Sequence, residues 1–279
     1  MISTQQITKA MKMVAAAKLR RSQDKILQLR PYAQKFSALL QNLSAAETDG
    51  SQQQWYSDVR EETKILIVAI SADRGLCGSF NSNIFKGTQR LINEKYSSAL
   101  SKGNVTILPV GKKSFEYFGK RNIPTVNDFW NIFPNLSFTN VAPVADFLMN
   151  AFRNGTYDKI EIVYNEFKNV ATQVLRTEQF LPVVPVAQTS TAAVDYIFQP
   201  SLDEIIAGLI PKSLKTQFFK AVLDTDASFN GAQMTAMDKA TENAGELLKE
   251  LKLTYNRTRQ AAITKEILEI VAGAEALSA

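Results

Sequence analysis

A chain of 279 residues, 45% hydrophobic and 21% charged, is long enough to bury one or two cores and is not a disordered composition. It holds one cysteine, Cys77, and no histidine, which excludes an internal disulfide, multi-cysteine metal sites, Ser-His-Asp or Cys-His catalysis and conventional zinc chemistry. The net charge of +5 is uneven: residues 1–42 carry eight basic residues against Asp24 alone, a balance of +7, and the other 237 residues carry 24 basic against 26 acidic, a balance of −2.

Small or apolar side chains recur along the first 44 residues in alternating steps of four and three, at Ala15, Leu19, Ser22, Ile26, Leu29, Ala33, Phe36, Leu40 and Leu43. This heptad seam predicts a long helix with one face against a partner helix. Pro31 removes a hydrogen bond at a cost of about 3 kcal/mol, so the helix is expected to continue with a kink. Lys9, Lys12, Lys18, Arg20, Arg21, Lys25, Arg30 and Lys35 make it strongly basic, which calls for an anionic partner. Nucleic acid fits poorly because no aromatic residue is interleaved among residues 1–25, and membrane insertion would ask for Trp or Phe anchors. An acidic protein surface fits best. No run of eighteen apolar residues spans a membrane and the start does not resemble a signal peptide, so the protein is expected to stay where it is made.

Polar residues 44–60 read as a linker. Beyond it, Ile65–Ile70, Val105–Val110 and Ile160–Tyr164 are apolar runs of the kind buried on both faces, and three parallel strands are their simplest arrangement. Helices are expected from Asn81 to about Leu100, over Lys112–Lys120 and over Val141–Asn154, the strand–helix order of an open α/β sheet. Pro182, Pro185 and Pro200 punctuate a run from Val170 to Phe198 that suggests extended edge strands. The loop SADRGLCGSFN at 71–81 has neither the GxGxxG nor the GxxxxGK[ST] spacing, so Gly75 and Gly78 read as turn residues and not as a phosphate cradle. Cys77 has no histidine or CxxC partner and reads as a packed side chain. Asp73 and Arg74 are expected to pair with each other or with a neighbouring subunit.

Residues 201–277 form an almost unbroken helical pattern. At 1.5 Å of rise per residue such a rod reaches roughly 110 Å. Its seam runs through Met237, Ala240, Ala244, Leu247 and Leu251 and more weakly through Thr254, Thr258, Ala261 and Leu268. Gly208, Pro211, Gly231, Gly245 and Gly273 weaken it, so packing and partners must supply its stability. The plain alternative is two or three ordinary helices of a compact bundle; the periodicity nevertheless crosses the interruptions. The expected fold is α/β with a long antiparallel coiled coil. Its paired N- and C-terminal helices, residues 1–44 and 201–279, form a discontinuous shaft, with a Rossmann-like open α/β domain, residues 45–200, inserted between them.

Two stretches carry a family likeness: STQQITKAMKMVAAAKLRR at 3–21 and NRTRQAAITKEILEIVAG at 256–273, with SADRGLCGSFN at 71–81 and MTAMDKATENAGE at 234–246 between them in order. Together they resemble the gamma subunit of the F-type ATP synthase, bacterial type, over essentially the whole chain. The resemblance implies a central-stalk rotor at the cytoplasmic face of the bacterial inner membrane. A peripheral subunit without cofactor or bond chemistry of its own, it would couple rotation of a proton- or sodium-driven c ring to the catalytic sites on the beta subunits. It further implies alpha, beta, epsilon and delta subunits and the c ring as partners, without nucleic acid and without membrane insertion, and places the α/β domain at the foot of the stalk. Contacts with the catalytic ring are implied for Lys9, Met11, Lys12 and Lys18 and for Arg259, Gln260 and Thr264 near the upper shaft, with Met11 on the facing helix; Asp73, Arg74 and Tyr196 are implied on the c-ring and epsilon side.

The chain departs from the family in lacking helix ahead of Ser3 and in the weakly charged segment at 227–234, where ion pairs at mid-shaft are in doubt. It carries no cysteine-bearing insertion of the chloroplast kind, so thiol regulation is not expected. Two other readings are a coiled-coil adaptor for an anionic surface and a nucleotide-dependent enzyme built on the 71–81 loop.

Overall fold

The structure, a computed structural model, describes residues 1–46, 54–183 and 202–278. Helix α1 (Ile2–Ala46) runs 45 residues without a break at Pro31. Among its described side chains, the buried ones are Ala15, Leu19, Ser22, Ile26 and Phe36, all on the heptad seam. The C-terminal helix, α6 (Leu202–Ser278), runs 77 residues through Pro211 and its glycines, about 115 Å at the usual rise.

The two helices are antiparallel, and their register can be read from facing residues. Thr241 Oγ1 donates to Thr8 Oγ1 at 2.8 Å, Lys12 Nζ meets Asp238 Oδ1 at 2.6 Å, and Ser22 Oγ donates to Asp226 Oδ2 at 2.5 Å. Each pair of numbers adds to about 249, as expected of antiparallel helices that rise equally per residue. Ala46 therefore stands near the start of α6, and Met1 stands opposite residues near 248. Met237 and Ala244 are buried on the seam, but it then steps to half-buried Thr241 and Leu248, leaving Leu247 and Leu251 39% and 47% exposed. On the weaker seam beyond, Leu268 is 63% exposed.

The inserted sheet contains β1 (Ile65–Ile70), β2 (Val105–Val110), β3 (Lys159–Phe167) and β4 (Gln173–Leu181), in the order β2-β1-β3-β4. β1 pairs in parallel with β2 and β3, and β4 closes the edge as an antiparallel partner of β3. Every residue of β1 is buried, as a strand covered on both faces requires. β3 outruns its predicted apolar run by Lys159, which pairs with β1, and by Asn165, Glu166 and Phe167, which pair with β4.

One face of the sheet, through Ile65, Ile67, Val105, Ile107 and Val163, packs on α2 (Phe80–Lys95) and α4 (Lys112–Phe118). The helix expected from Asn81 to about Leu100 stops at Lys95 and resumes as the short α3 (Ser97–Ser101). Tyr96 leaves helical geometry between them, its buried hydroxyl donating to Glu161, which also accepts from Lys95. The other face, through Leu66, Val68, Ile70, Ile160 and Ile162, packs on α5 (Phe138–Arg153) and on Leu214, Phe218 and Val222 of α6. The C-terminal helix thus serves as a layer of the inserted domain as well as half of the shaft. At the end of β2, Gly111 adopts φ +95, and a Cβ there would lie 2.1 Å from the Ser71 carbonyl oxygen, so no other residue fits. Pro185 and Pro200 lie outside the described residues.

Candidate functional site

Residues 251–275 of α6, past the level of Met1, are exposed at every position. Leu253, Tyr255, Ile267, Leu268 and Ile270 are each more than half exposed there. Arg259, Gln260 and Thr264 all lie in this stretch, with Thr264 Oγ1 donating to the Gln260 carbonyl at 2.9 Å. Met11 does not join them. It is half-buried against the stretch of α6 near Asp238, about 30 Å down the shaft, because the antiparallel register sets it there beside Lys12.

The basic residues of α1 divide by their surroundings. Lys9 and Lys18 are exposed, whereas Lys12 is tied across the coil to Asp238 and its charge is partly neutralised. Further along, Lys25 Nζ donates to the Leu136 carbonyl at 3.2 Å, joining α1 to the inserted domain. Lys18, Arg21 and Lys25 line one wall of a cleft of about 550 Å³, whose opposite wall is made by Asp73, Arg74, Phe133 and Pro134, with Asp226 and Asn230 at its base.

Asp73 and Arg74 belong to the loop after β1, which is closed on itself. Asp73 Oδ1 accepts the N–H of Lys112 at the start of α4 at 2.9 Å, and is not paired with Arg74. Asn81 accepts the Ala72 N–H at 3.1 Å and donates to the Arg74 carbonyl at 3.1 Å and to Cys77 Sγ at 3.4 Å. Burial pushes the Cys77 thiol above its ordinary value, which makes it a poor nucleophile. Leu76, at φ 60, stands at the apex and is 64% exposed. Tyr196 lies outside the described residues.

The sequence reading missed the joint where α6 passes between α1 and the sheet. Residues 221–231 are buried or half-buried all round, although Asp224, Thr225, Asp226, Ser228 and Asn230 are polar. Thr225 Oγ1 returns to the Ala221 carbonyl at 2.9 Å and Ser228 Oγ donates to the Asn165 carbonyl of β3 at 3.0 Å. Asp226 in this stretch also feels the charges of Lys25 and Lys18. The one available signal was Ser22, a hydroxyl on an otherwise apolar or alanine seam.

A family model for ATP synthase matches residues 1–277 of the chain. The ATP synthase gamma chain of Cytophaga hutchinsonii is 55% identical over 280 residues, covering 99% of this chain and 95% of that protein. The chain belongs to the ATP synthase gamma chain family. The gamma chain of Flavobacterium johnsoniae is 53% identical over 99% of this chain and 94% of its own length. Among solved structures, the central stalk and c-ring of the Tetrahymena thermophila mitochondrial ATP synthase includes a chain 25% identical to this one, with a TM-score of 0.61 over 84% of this chain and 99% of that one. A chain of the Euglena gracilis mitochondrial ATP synthase shares the fold at 18% identity and a TM-score of 0.55. Gamma chains are the central-stalk subunit of ATP synthase, and the function of this chain is that of a central-stalk subunit in an enzyme complex that makes ATP. No helix among the described residues is long and apolar enough to cross a membrane.

Proposed function

We propose that the chain is a rotor shaft: a proton- or sodium-driven c ring turns it, and its asymmetric tip takes the catalytic sites of the beta subunits through successive conformations. The observation that supports this reading is the 77-residue α6, paired with α1 and carrying Arg259, Gln260 and Thr264 exposed on its distal part. A shaft that must turn in its bearing cannot interlock deeply with it, and a surface mixing modest apolar side chains with Arg259, Gln260 and Thr264 suits repeated contact.

In this reading Lys9, Met11, Lys12 and Lys18 on α1 and Arg259, Gln260 and Thr264 on the tip face the catalytic ring. Asp73 and Arg74 remain candidates for the c-ring and epsilon side, with Arg74 lining the same cleft as Lys18 and Arg21. Asp73 positions α4 beneath it. Tyr196 is the remaining candidate for the c-ring and epsilon side. The partners are the alpha, beta, epsilon and delta subunits and the c ring, at the cytoplasmic face of a bacterial inner membrane.

Residues 1–44 and 201–279 form the shaft and 45–200 its foot. The Rossmann-like description of the foot rests on three parallel strands with helices on both faces. Since the 71–81 loop lacks a phosphate-binding spacing, the foot serves as a docking body and ATP chemistry stays with the ring.

Reconstitution with separately purified alpha and beta subunits tests the reading. ATP hydrolysis that requires this chain, and falls when residues 251–279 are removed, is the expected result; a complex equally active without the chain would refute it.

A further inference from the structure

Resting on that rotor reading, we propose that the Ser22–Asp226 hydrogen bond, backed by the Ser228–Asn165 bond, is a register lock that fixes both shaft helices to the foot and makes the joint stiff enough to pass torque. The first bond ties α1 to α6, and the second, two residues along α6, ties α6 to β3. Asp226 and Ser228 therefore hold one helix from two sides.

The packing around them cannot do this alone. Leu19, Ile26, Leu223 and Ala227 make the apolar contact at this level, and apolar surfaces tolerate a slide of one turn far better than a directional bond does. A slip of one turn would put Val222 or Asn230 opposite Ser22 and take from the half-buried Asp226 carboxyl the directional bond that it makes only in register. Gly231 lets the helix sit close to the β3–β4 hairpin, with Phe167 and Val170 within 3.7 Å of where a Cβ would stand, so the lock works at short range.

The bond survives a change of protonation. As a carboxylate, Asp226 accepts from Ser22; as the neutral acid, it can donate to Ser22, whose own proton then goes to the Lys18 carbonyl at 3.1 Å. Asn230 donates to the Asp226 backbone carbonyl at 2.8 Å and stiffens the same turn. Asparagine at 226 can therefore replace aspartate, and leucine cannot.

The test compares Ser22→Ala, Asp226→Leu and Asp226→Asn by two readouts. In the full isolated chain, with Cys77→Ser, cysteine pairs report register: Thr8→Cys with Thr241→Cys in register, and Thr8→Cys with Gly245→Cys one turn displaced. The displaced product is expected to rise roughly fivefold in Ser22→Ala and Asp226→Leu, the factor that one net hydrogen bond gives, and to stay at the parent level in Asp226→Asn. In the assembled complex, the first two variants are expected to keep subunit-dependent ATP hydrolysis but to pump fewer ions per ATP, with Asp226→Asn restoring the ratio. Unchanged register and pumping in Ser22→Ala and Asp226→Leu would overturn the lock, as would a defect that Asp226→Asn shares. Should the parent chain fail to support ATP hydrolysis, the rotor reading falls and the disulfide register still decides the lock.

Discussion

Gly111 is the residue at which the foot tolerates least. Its φ of +95, and the collision a methyl group would make with the Ser71 carbonyl oxygen, leave an alanine no way to fit without moving β1 from β2. Gly111→Ala is expected to destabilise the foot by more than about 1 kcal/mol, read as a lower denaturation midpoint. Asp226 makes a prediction about pH. Burial raises its carboxyl above the ordinary value of 3.8, opposed by Ser22, Lys25 and Lys18. In the window between 3.8 and the raised folded value, the native state holds more protons than the unfolded chain, so stability falls as pH rises through it. Asp226→Asn removes this titration; urea midpoints should shift in favour of the variant as pH rises, and a constant difference from pH 3 to 8 would contradict the assignment. Ser22 shows what sequence could supply at this scale: its place on the seam was legible, but its partner 204 residues away was not, because only the antiparallel register brings the two together.

Secondary structure was legible wherever periodicity had one cause. β1 is an all-apolar strand covered on both faces and β2 is apolar apart from half-buried Thr106, and both sit where their sequences place them. The run from Asn81 broke at Tyr96 because a buried hydrogen bond to Glu161, invisible in a local pattern, outweighs helix continuation. On α6 the seam drifted from Leu247 to Leu248 because small and polar residues, Thr241 among them, share the interface and blur the stripe. The helix also has two regimes, packed at 221–231 and bare at 251–275, and these predict opposite behaviour in the isolated chain. Amide exchange should be slow over the first and fast over the second, and removal of residues 251–279 should leave the melting temperature nearly unchanged. Slow exchange throughout the tip would mean that something on its own chain covers it.

At the scale of the whole molecule, an excess of +7 on residues 1–42 runs along α1 from the level of the foot, where Lys25 bonds Leu136, toward the distal part of α6, while the foot is a nearly neutral sheet domain. Exposed charge acts at long range and is screened by salt, so Lys9→Ala and Lys18→Ala should slow association with the alpha and beta subunits at low ionic strength. The difference should vanish near 1 M salt, where the screening length is about 3 Å. Lys12→Ala should have the smaller effect because Asp238 already faces it; an equal loss for all three would show that the Lys12 pair opens on assembly. The central claim is that the chain turns as one body inside its ring. Its most direct test is a bead on the foot, attached through Ser98→Cys in a Cys77→Ser background, observed while the immobilised complex hydrolyses ATP. Stepwise rotation in one direction is the predicted result, and a bead that stays fixed while ATP is consumed would contradict the account.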